Sequence, residues 1–376
     1  MVIFLTGADC NEYKSFNMVT QAPDQTLLRT LLKSVSRSFY LTLAVVPVDV
    51  RAQVGMAYLL ARAADTIADT EMIERPLRLR YLTRLREWIM DPATHREALR
   101  EIQSALPDFR SAAQADRSER ALLSQLDECG ALLDSFTRED QSVIRWVLGI
   151  LIQGMQKDLT DFPGESIPAG GGHAEQSLVA LKTSADLDLY TYHAAGCVGE
   201  FWTRLMCAHR VALRDWDVER MAQAGVRFGK GLQYTNVLRD IPADLRRGRC
   251  YIPSELLEPA GLQPAGLLDP ASLPAFAPVR NQLLRLALEH LDQGWLYTMA
   301  IPRSELRLRL ACAWPILFAL KTLQRVSVSD RLLDPAVTIK MTRGEVYRIM
   351  ALTGGTLGCG RTLTAYYGHL RKAVAC

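Results

Sequence analysis

Tyr58-Leu-Leu-Ala-Arg62-Ala-Ala-Asp65-Thr-Ile-Ala-Asp69 is the stretch from which the fold can be read. At ~100° per residue, positions 58, 62, 65 and 69 fall within an arc of about 60°. One helix face therefore carries a phenol, a guanidinium and two carboxylates one turn apart. The remaining positions are mostly Leu, Ala and Ile, so the polar stripe lies against an apolar interior.

A second stretch repeats the pattern. In Gln233-Tyr-Thr-Asn236-Val-Leu-Arg239-Asp240-Ile-Pro-Ala-Asp244, positions 233, 236, 240 and 244 span an arc of about 80°. Pro242 removes a backbone donor and is expected to kink or end this helix between its two aspartates.

Outward from these two stretches, helical periodicity continues almost from end to end. It predicts helices at 27–39, 54–68, 77–90, 118–135, 139–159, 186–209, 215–240, 276–299, 304–326 and 343–352. In the third, Arg78, Arg80, Arg84 and Arg86 alternate with leucines and read as a solvated basic face. Breaks are expected where Pro and Gly collect, at 162–173 and 253–278. No alternating β-branched run is long enough for a sheet, and neither GxGxxG nor a P-loop occurs. The expectation is an all-α protein, one large helical domain over 23–352. Residues 1–22 read as an N-terminal extension for which no ordered structure is expected, and 353–376 as a C-terminal tail.

Composition narrows the function classes. Lys and Arg number 44 against 41 Asp and Glu, a net +3, which gives no reason to expect nucleic acid. The eight cysteines are scattered without a CxxC pair, so reduced thiols in the cytoplasm are expected rather than zinc or a disulfide framework. The amino terminus lacks the basic and long apolar regions of a signal peptide. No stretch reaches ~18 uninterrupted apolar residues, so any membrane contact is expected to be peripheral. Nothing implies an obligate protein partner.

Two carboxylate pairs on apolar helices need counter-charge, because a buried unpaired carboxylate is costly. Mg²⁺ suits them: it takes carboxylate oxygens, keeps water and bridges to phosphates. Diphosphate is the matching substrate group, turned into a leaving group by bound metal and gripped by guanidinium. A single DxxxD usually marks only a solvated face. Two of them, each with amide or Arg support, point to a site. An EF-hand is disfavoured, since DxxxD lacks its loop spacing.

At these residues the sequence resembles the squalene/phytoene synthase family, from about Leu27 to Met350. The resemblance rests on Ser36-Arg37-Ser38-Phe39, YxxxRxxDxxxD at 58–69, Tyr190-Thr-Tyr-His-Ala-Ala-Gly-Cys-Val-Gly199, and QxxNxxRDxxxD at 233–244. Arg247-Gly-Arg249-Cys-Tyr251-Ile-Pro253 continues the last of these. It implies an all-α fold of the isoprenoid synthase type, with a central cavity between two Asp-rich helices. It assigns Asp65, Asp69, Asp240 and Asp244, with Asn236, to Mg²⁺–diphosphate binding. Arg37, Ser38, Phe39, Tyr58, Arg62, Gln233 and Arg239 would line the substrate site, and Tyr190 matches the family's catalytic tyrosine. Ala68 stands where squalene synthases often carry a further Glu.

Within the family, Leu310–Leu323 looks like the Pro-containing late helix of squalene synthases. Ile339-Lys-Met-Thr-Arg-Gly344 resembles their NADPH-phosphate segment, with Lys340 and Arg343 as the basic residues and Thr342 in place of a base. The implied activity is head-to-head condensation of two farnesyl diphosphates and NADPH-dependent reduction to squalene, by a bacterial-type peripheral enzyme. Phytoene or dehydrosqualene synthesis without reductant, presqualene diphosphate synthesis and a non-catalytic helical scaffold are the alternatives.

Overall fold

The computed structural model describes residues 28, 30–32, 43, 45–70, 73–91, 96–105, 117–162, 178–356 and 360–375. Arg37, Ser38, Phe39, the 162–173 break beyond Phe162 and the 1–22 extension lie outside these residues. The chain forms two compact units, one of residues 2–159 and 204–211, the other of 160–203 and 212–376.

The first unit is built from α1 (Arg51–Asp69), α2 (Arg75–Met90), α3 (Arg96–Ser104), α4 (Arg117–Ser124), α5 (Leu126–Asp134) and α6 (Arg138–Asp161). Met56, Leu59, Leu60 and Ile67 of α1 are fully buried, as its apolar face requires. The basic face expected on α2 needs correction at Arg78, which is buried and donates from Nη1 to the Ala68 carbonyl at 3.1 Å. Arg78 falls on the stripe of Leu82, Leu85 and Ile89, and the last turn of α1 supplies the carbonyl that makes its burial tolerable. The predicted 118–135 helix is two helices, separated by a turn at Gln125 (φ −110°, ψ 22°). A buried knot fastens this unit: Asp140 accepts from Gln53 Nε2 at 3.0 Å and lies 2.7 Å from His209 Nε2.

In the second unit, α7 (Ser184–Thr191) passes through a π-helical turn at Tyr192–Gly196 into α8 (Cys197–His209). The sequence predicted one uninterrupted helix here. The wider turn brings Gly196 and Gly199 against α9 (Val218–Arg246). A Cβ on Gly199 would stand 1.8 Å from the Gly225 carbonyl oxygen, and one on Gly229 would stand 2.1 Å from that of Ala195. Backbone meets backbone along this crossing. α9 does not end at Pro242 but continues through it to Arg246; burial of Ile241 and Leu245 offsets the one missing hydrogen bond.

Residues 249–250 pair in parallel with 179–180 as a two-residue ladder. A short helix α10 (Ser254–Leu257) and three 3₁₀ turns fill the Pro-rich segment as far as Ser272. Then follow α11 (Leu273–Ala300), α12 (Leu306–Val328), α13 (Arg343–Thr356) and α14 (Gly360–Lys372). α11 begins with Pro274 near its N-terminus, where a missing N–H costs nothing, and includes Pro278. α12 is buried on nearly every side, as a helix apolar all round must be. α14, absent from the periodicity reading, docks on α11: Tyr367 stacks on Trp295 at 4.3 Å, and Arg371 grips Asp292 at 2.7 and 2.8 Å. Among the described residues no helix is long and apolar enough to cross a membrane.

Candidate active site

The polar stripe of α1 opens along its length: Tyr58 is buried, Arg62 and Asp65 are half-buried, and Asp69 is exposed. Burial pushes the Tyr58 hydroxyl up to about 12. Burial, and then the neighbouring Asp69 charge, push the Asp65 carboxyl up to about 7. Arg62 lies 3.7 Å from Asp65 and forms a short charged hydrogen bond with Glu119 at the start of α4. Sequence reading missed Glu119, which lies 57 positions from Arg62 in no shared motif. Both aspartates sit at the C-terminal end of α1, where the helix dipole disfavours negative charge by about 0.3–1 kcal/mol each. A bound cation would reverse that sign.

The α9 stripe has the same polarity. Gln233 and Asn236 are buried, whereas Asp240 and Asp244 are half-buried in the last two turns. Asn236 Nδ2 donates to Gln233 Oε1 at 3.0 Å, and Gln233 Nε2 donates to the Tyr190 hydroxyl at 3.1 Å. The Tyr190 ring stacks on Tyr251 at 4.1 Å and 20°, and Tyr251 meets the edge of Phe162 at 5.2 Å. Tyr251 was visible only as part of a motif tail; it is the platform for Tyr190. Arg239, expected to line the substrate site, holds Asp240 with two bonds of 2.7 and 2.5 Å.

At the other end of this relay the Asn236 Oδ1 atom is buried without a hydrogen-bond partner. An orphaned carbonyl oxygen one turn before two carboxylates makes an all-oxygen donor set, which fits Mg²⁺. Among the described residues no three His, Cys, Asp or Glu side chains converge on one point. A cation on either stripe would therefore complete its shell with water and phosphate oxygens.

Lys340 and Arg343 are exposed at the start of α13. Thr342 between them caps that helix: its backbone N–H and hydroxyl each donate to Glu345 Oε2 at 2.9 Å, and it accepts from the Glu345 N–H at 3.3 Å. This capping box explains a threonine where a base was expected. Arg325, unnoticed in the sequence, braces the segment through Glu345 at 2.6 Å and the Lys340 carbonyl. The cationic side chains of Lys340 and Arg343 have no acidic partner among the described residues, a donor set suited to phosphate. Elsewhere in this unit, Val198, Trp202, Phe228, Leu232, Tyr297 and Cys312 line an apolar cavity beside the glycine crossing.

Known proteins resemble this chain over most of its length. A bifunctional lycopene cyclase/phytoene synthase of Arthroderma gypseum is 28% identical over 300 residues, 76% of this chain but only 43% of that protein. Squalene synthase of Saccharomyces cerevisiae is 24% identical over 363 residues, 96% of this chain and 74% of that protein. A solved structure of TcSQS with a ligand superposes with a TM-score of 0.67 at 22% identity, covering 94% of this chain and 97% of that one. The all-α fold is thus of the isoprenoid synthase type. The Squalene/phytoene synthase family model matches residues 32–344, and with both aspartate stripes inside that span the chain belongs to the squalene/phytoene synthase family.

Proposed function

We propose that the protein condenses two farnesyl diphosphates head to head to presqualene diphosphate and reduces that intermediate to squalene with NADPH. The observation that carries the reading is the relay from the orphaned Asn236 oxygen through Gln233 to the Tyr190 hydroxyl. It ties a metal-ready end to a phenol able to meet a proton. The yeast squalene synthase, similar over nearly the whole chain, favours the reductive branch. The Arthroderma relative keeps phytoene synthesis, on longer substrates and without reductant, as the second reading.

Asp65, Asp69, Asn236, Asp240 and Asp244 would hold Mg²⁺, which when bound neutralises the diphosphate and makes it a leaving group. Arg62 and Arg239 exchange their carboxylate partners for phosphate oxygens as substrate arrives. The allylic C–O bond of one substrate breaks and the double bond of the second attacks the cation. Tyr190, held by Gln233 and Tyr251, would stand near the proton lost as the cyclopropane closes, with the departing diphosphate as the base that takes it. Apolar walls around the reacting carbons would be needed to keep water from the cations. Lys340 and Arg343 would hold the phosphates of NADPH, whose contribution is a hydride. Farnesyl chains and squalene are apolar, which favours work in the cytoplasm at a membrane surface.

Product analysis with farnesyl diphosphate and Mg²⁺, with and without NADPH, tests this. Squalene formed only with NADPH is expected. A C30 product formed equally without NADPH would overturn the reductive half. No product from farnesyl or geranylgeranyl diphosphate would leave the scaffold reading.

A further inference from the structure

The chain's charge is unevenly distributed. Residues 340–376 contain six basic side chains (Lys340, Arg343, Arg348, Arg361, Arg371 and Lys372) and one acid, Glu345. That net +5 exceeds the +3 of the whole chain, so residues 1–339 carry −2. All of these bases except Lys340 lie on α13 and α14.

On α13, positions 343, 344, 347, 348, 351, 352, 354 and 355 are exposed and, at ~100° per residue, cover one continuous half of the helix. This half holds no acid. It carries Arg343 and Arg348, and between them Ala351, glycines, and Tyr347 and Leu352 at 45% and 47% exposure. The opposite side, Ile349 and Thr353, is buried; the Thr353 hydroxyl accepts the Trp314 indole N–H at 2.9 Å. α14 is built alike: Leu363, Tyr367 and Leu370 are buried, while Arg361, Thr362, Thr364, Ala365, His369 and Lys372 face out without an acid. The two helices are in contact with one another. The one acid, Glu345, is neutralised by Arg325, and of the six bases Arg371 is paired inward with Asp292.

We propose that the outward faces of α13 and α14 dock the protein on a membrane containing anionic phospholipid. The deciding argument is charge complementarity. An acid-free face with separated Arg and Lys side chains around an exposed Tyr and Leu matches a layer of phosphate headgroups over acyl chains. Arg and Lys lay their methylene stems along the interface and keep their charge at the phosphates. A protein partner would be expected to present acids against a few defined bases; here the bases spread over two helices. This inference deepens the peripheral contact proposed above and is independent of which product is made.

The test is co-sedimentation of the full chain with phosphatidylcholine vesicles, with and without phosphatidylglycerol, at low and high ionic strength. Binding is expected only to the anionic vesicles and is weakened by salt. The variant Arg348→Gln, Arg361→Gln, Lys372→Gln should bind about a hundredfold more weakly, from about fivefold for each of the three charges removed at the surface. Tyr347→Ser with Leu352→Ser should leave the salt dependence and lower the binding that survives high salt. Each variant should keep wild-type far-UV circular dichroism and its turnover of soluble prenyl diphosphate, which separates this surface from the active site. Equal binding to both vesicle types, no binding, or unchanged binding of the triple variant would each overturn the proposal. So would loss of binding confined to Lys340→Ala with Arg343→Ala, which would assign the charge to the NADPH segment alone.

Discussion

Replacing Gly199 with Ala adds a single carbon atom where the structure has no room for one. That carbon would stand 1.8 Å from the Gly225 carbonyl oxygen and 2.3 Å from its carbon. Both neighbours are backbone atoms of a 29-residue helix, so no side-chain rotation relieves the contact. The start of α8 and α9 must separate by more than an ångström, and contacts along the crossing weaken with them. Overpacking of this kind costs about 3 kcal/mol or more, a large share of the ~5–15 kcal/mol that holds a typical domain folded. For a unit of this size the melting temperature should drop by about 6–12 °C. Thermal and urea unfolding followed by far-UV circular dichroism would read it. Gly354→Ala is the control: this helical glycine has nothing within 4 Å of an added Cβ, and the change should stabilise by about 0.4–1 kcal/mol. If Gly199→Ala melts within error of wild type, the close crossing is not a constraint of the fold.

Four further outcomes are expected. Asp65→Ala or Asp240→Ala should abolish turnover with helicity intact, and wild-type product yield in either would refute the metal assignment. Asn236→Ala should raise the Mg²⁺ concentration needed for half-maximal turnover by about 10–100-fold; an unchanged Mg²⁺ titration would show that its free oxygen meets no cation. Burial, and then the Arg227 and Lys230 charges, lower His290 from 6.5 to about 4, so between those pH values the unfolded chain binds a proton that the folded one does not. Stability should therefore fall by about 3 kcal/mol as pH drops through that window, and the denaturation midpoint of His290→Gln should show a shallower decline. Finally, Lys340→Ala with Arg343→Ala should raise the NADPH requirement and let presqualene diphosphate accumulate in product analysis.

The two aspartate stripes were legible in the sequence because each is local. Residues three and four apart on one helix meet by geometry alone, and the structure keeps Tyr58, Arg62, Asp65 and Asp69 on α1 and Gln233, Asn236, Asp240 and Asp244 on α9. What escaped was non-local. Glu119 reaches Arg62 from a helix 57 residues away, and no periodicity encodes that meeting. Arg78 looked solvated because charge patterning counts charges without knowing that a helix end will offer a carbonyl. Pro242 predicts a kink or an end on propensity, yet the helix continues because tertiary packing prevails over one lost hydrogen bond. The π turn at 192–196 departs from an α-helix by a single residue per turn, below what hydrophobic spacing resolves.

The short parallel ladder has a consequence for dynamics. It joins residues 179 and 249, seventy positions apart, and is continued by Leu181 N–H to the Cys250 carbonyl at 3.0 Å, Ser254 N–H to that of Leu181 at 2.9 Å and Ser184 N–H to Glu255 at 2.5 Å. The chain entering the Tyr190 helix is thereby buckled to the chain leaving the Asp244 helix. Neither end can fray alone, because each amide's acceptor belongs to the other. In hydrogen–deuterium exchange the amides of 179, 181, 184, 254 and 255 should open together, as one cooperative block with the interior of α9. Substrate would then meet a tyrosine and an aspartate pair whose spacing is set before it arrives.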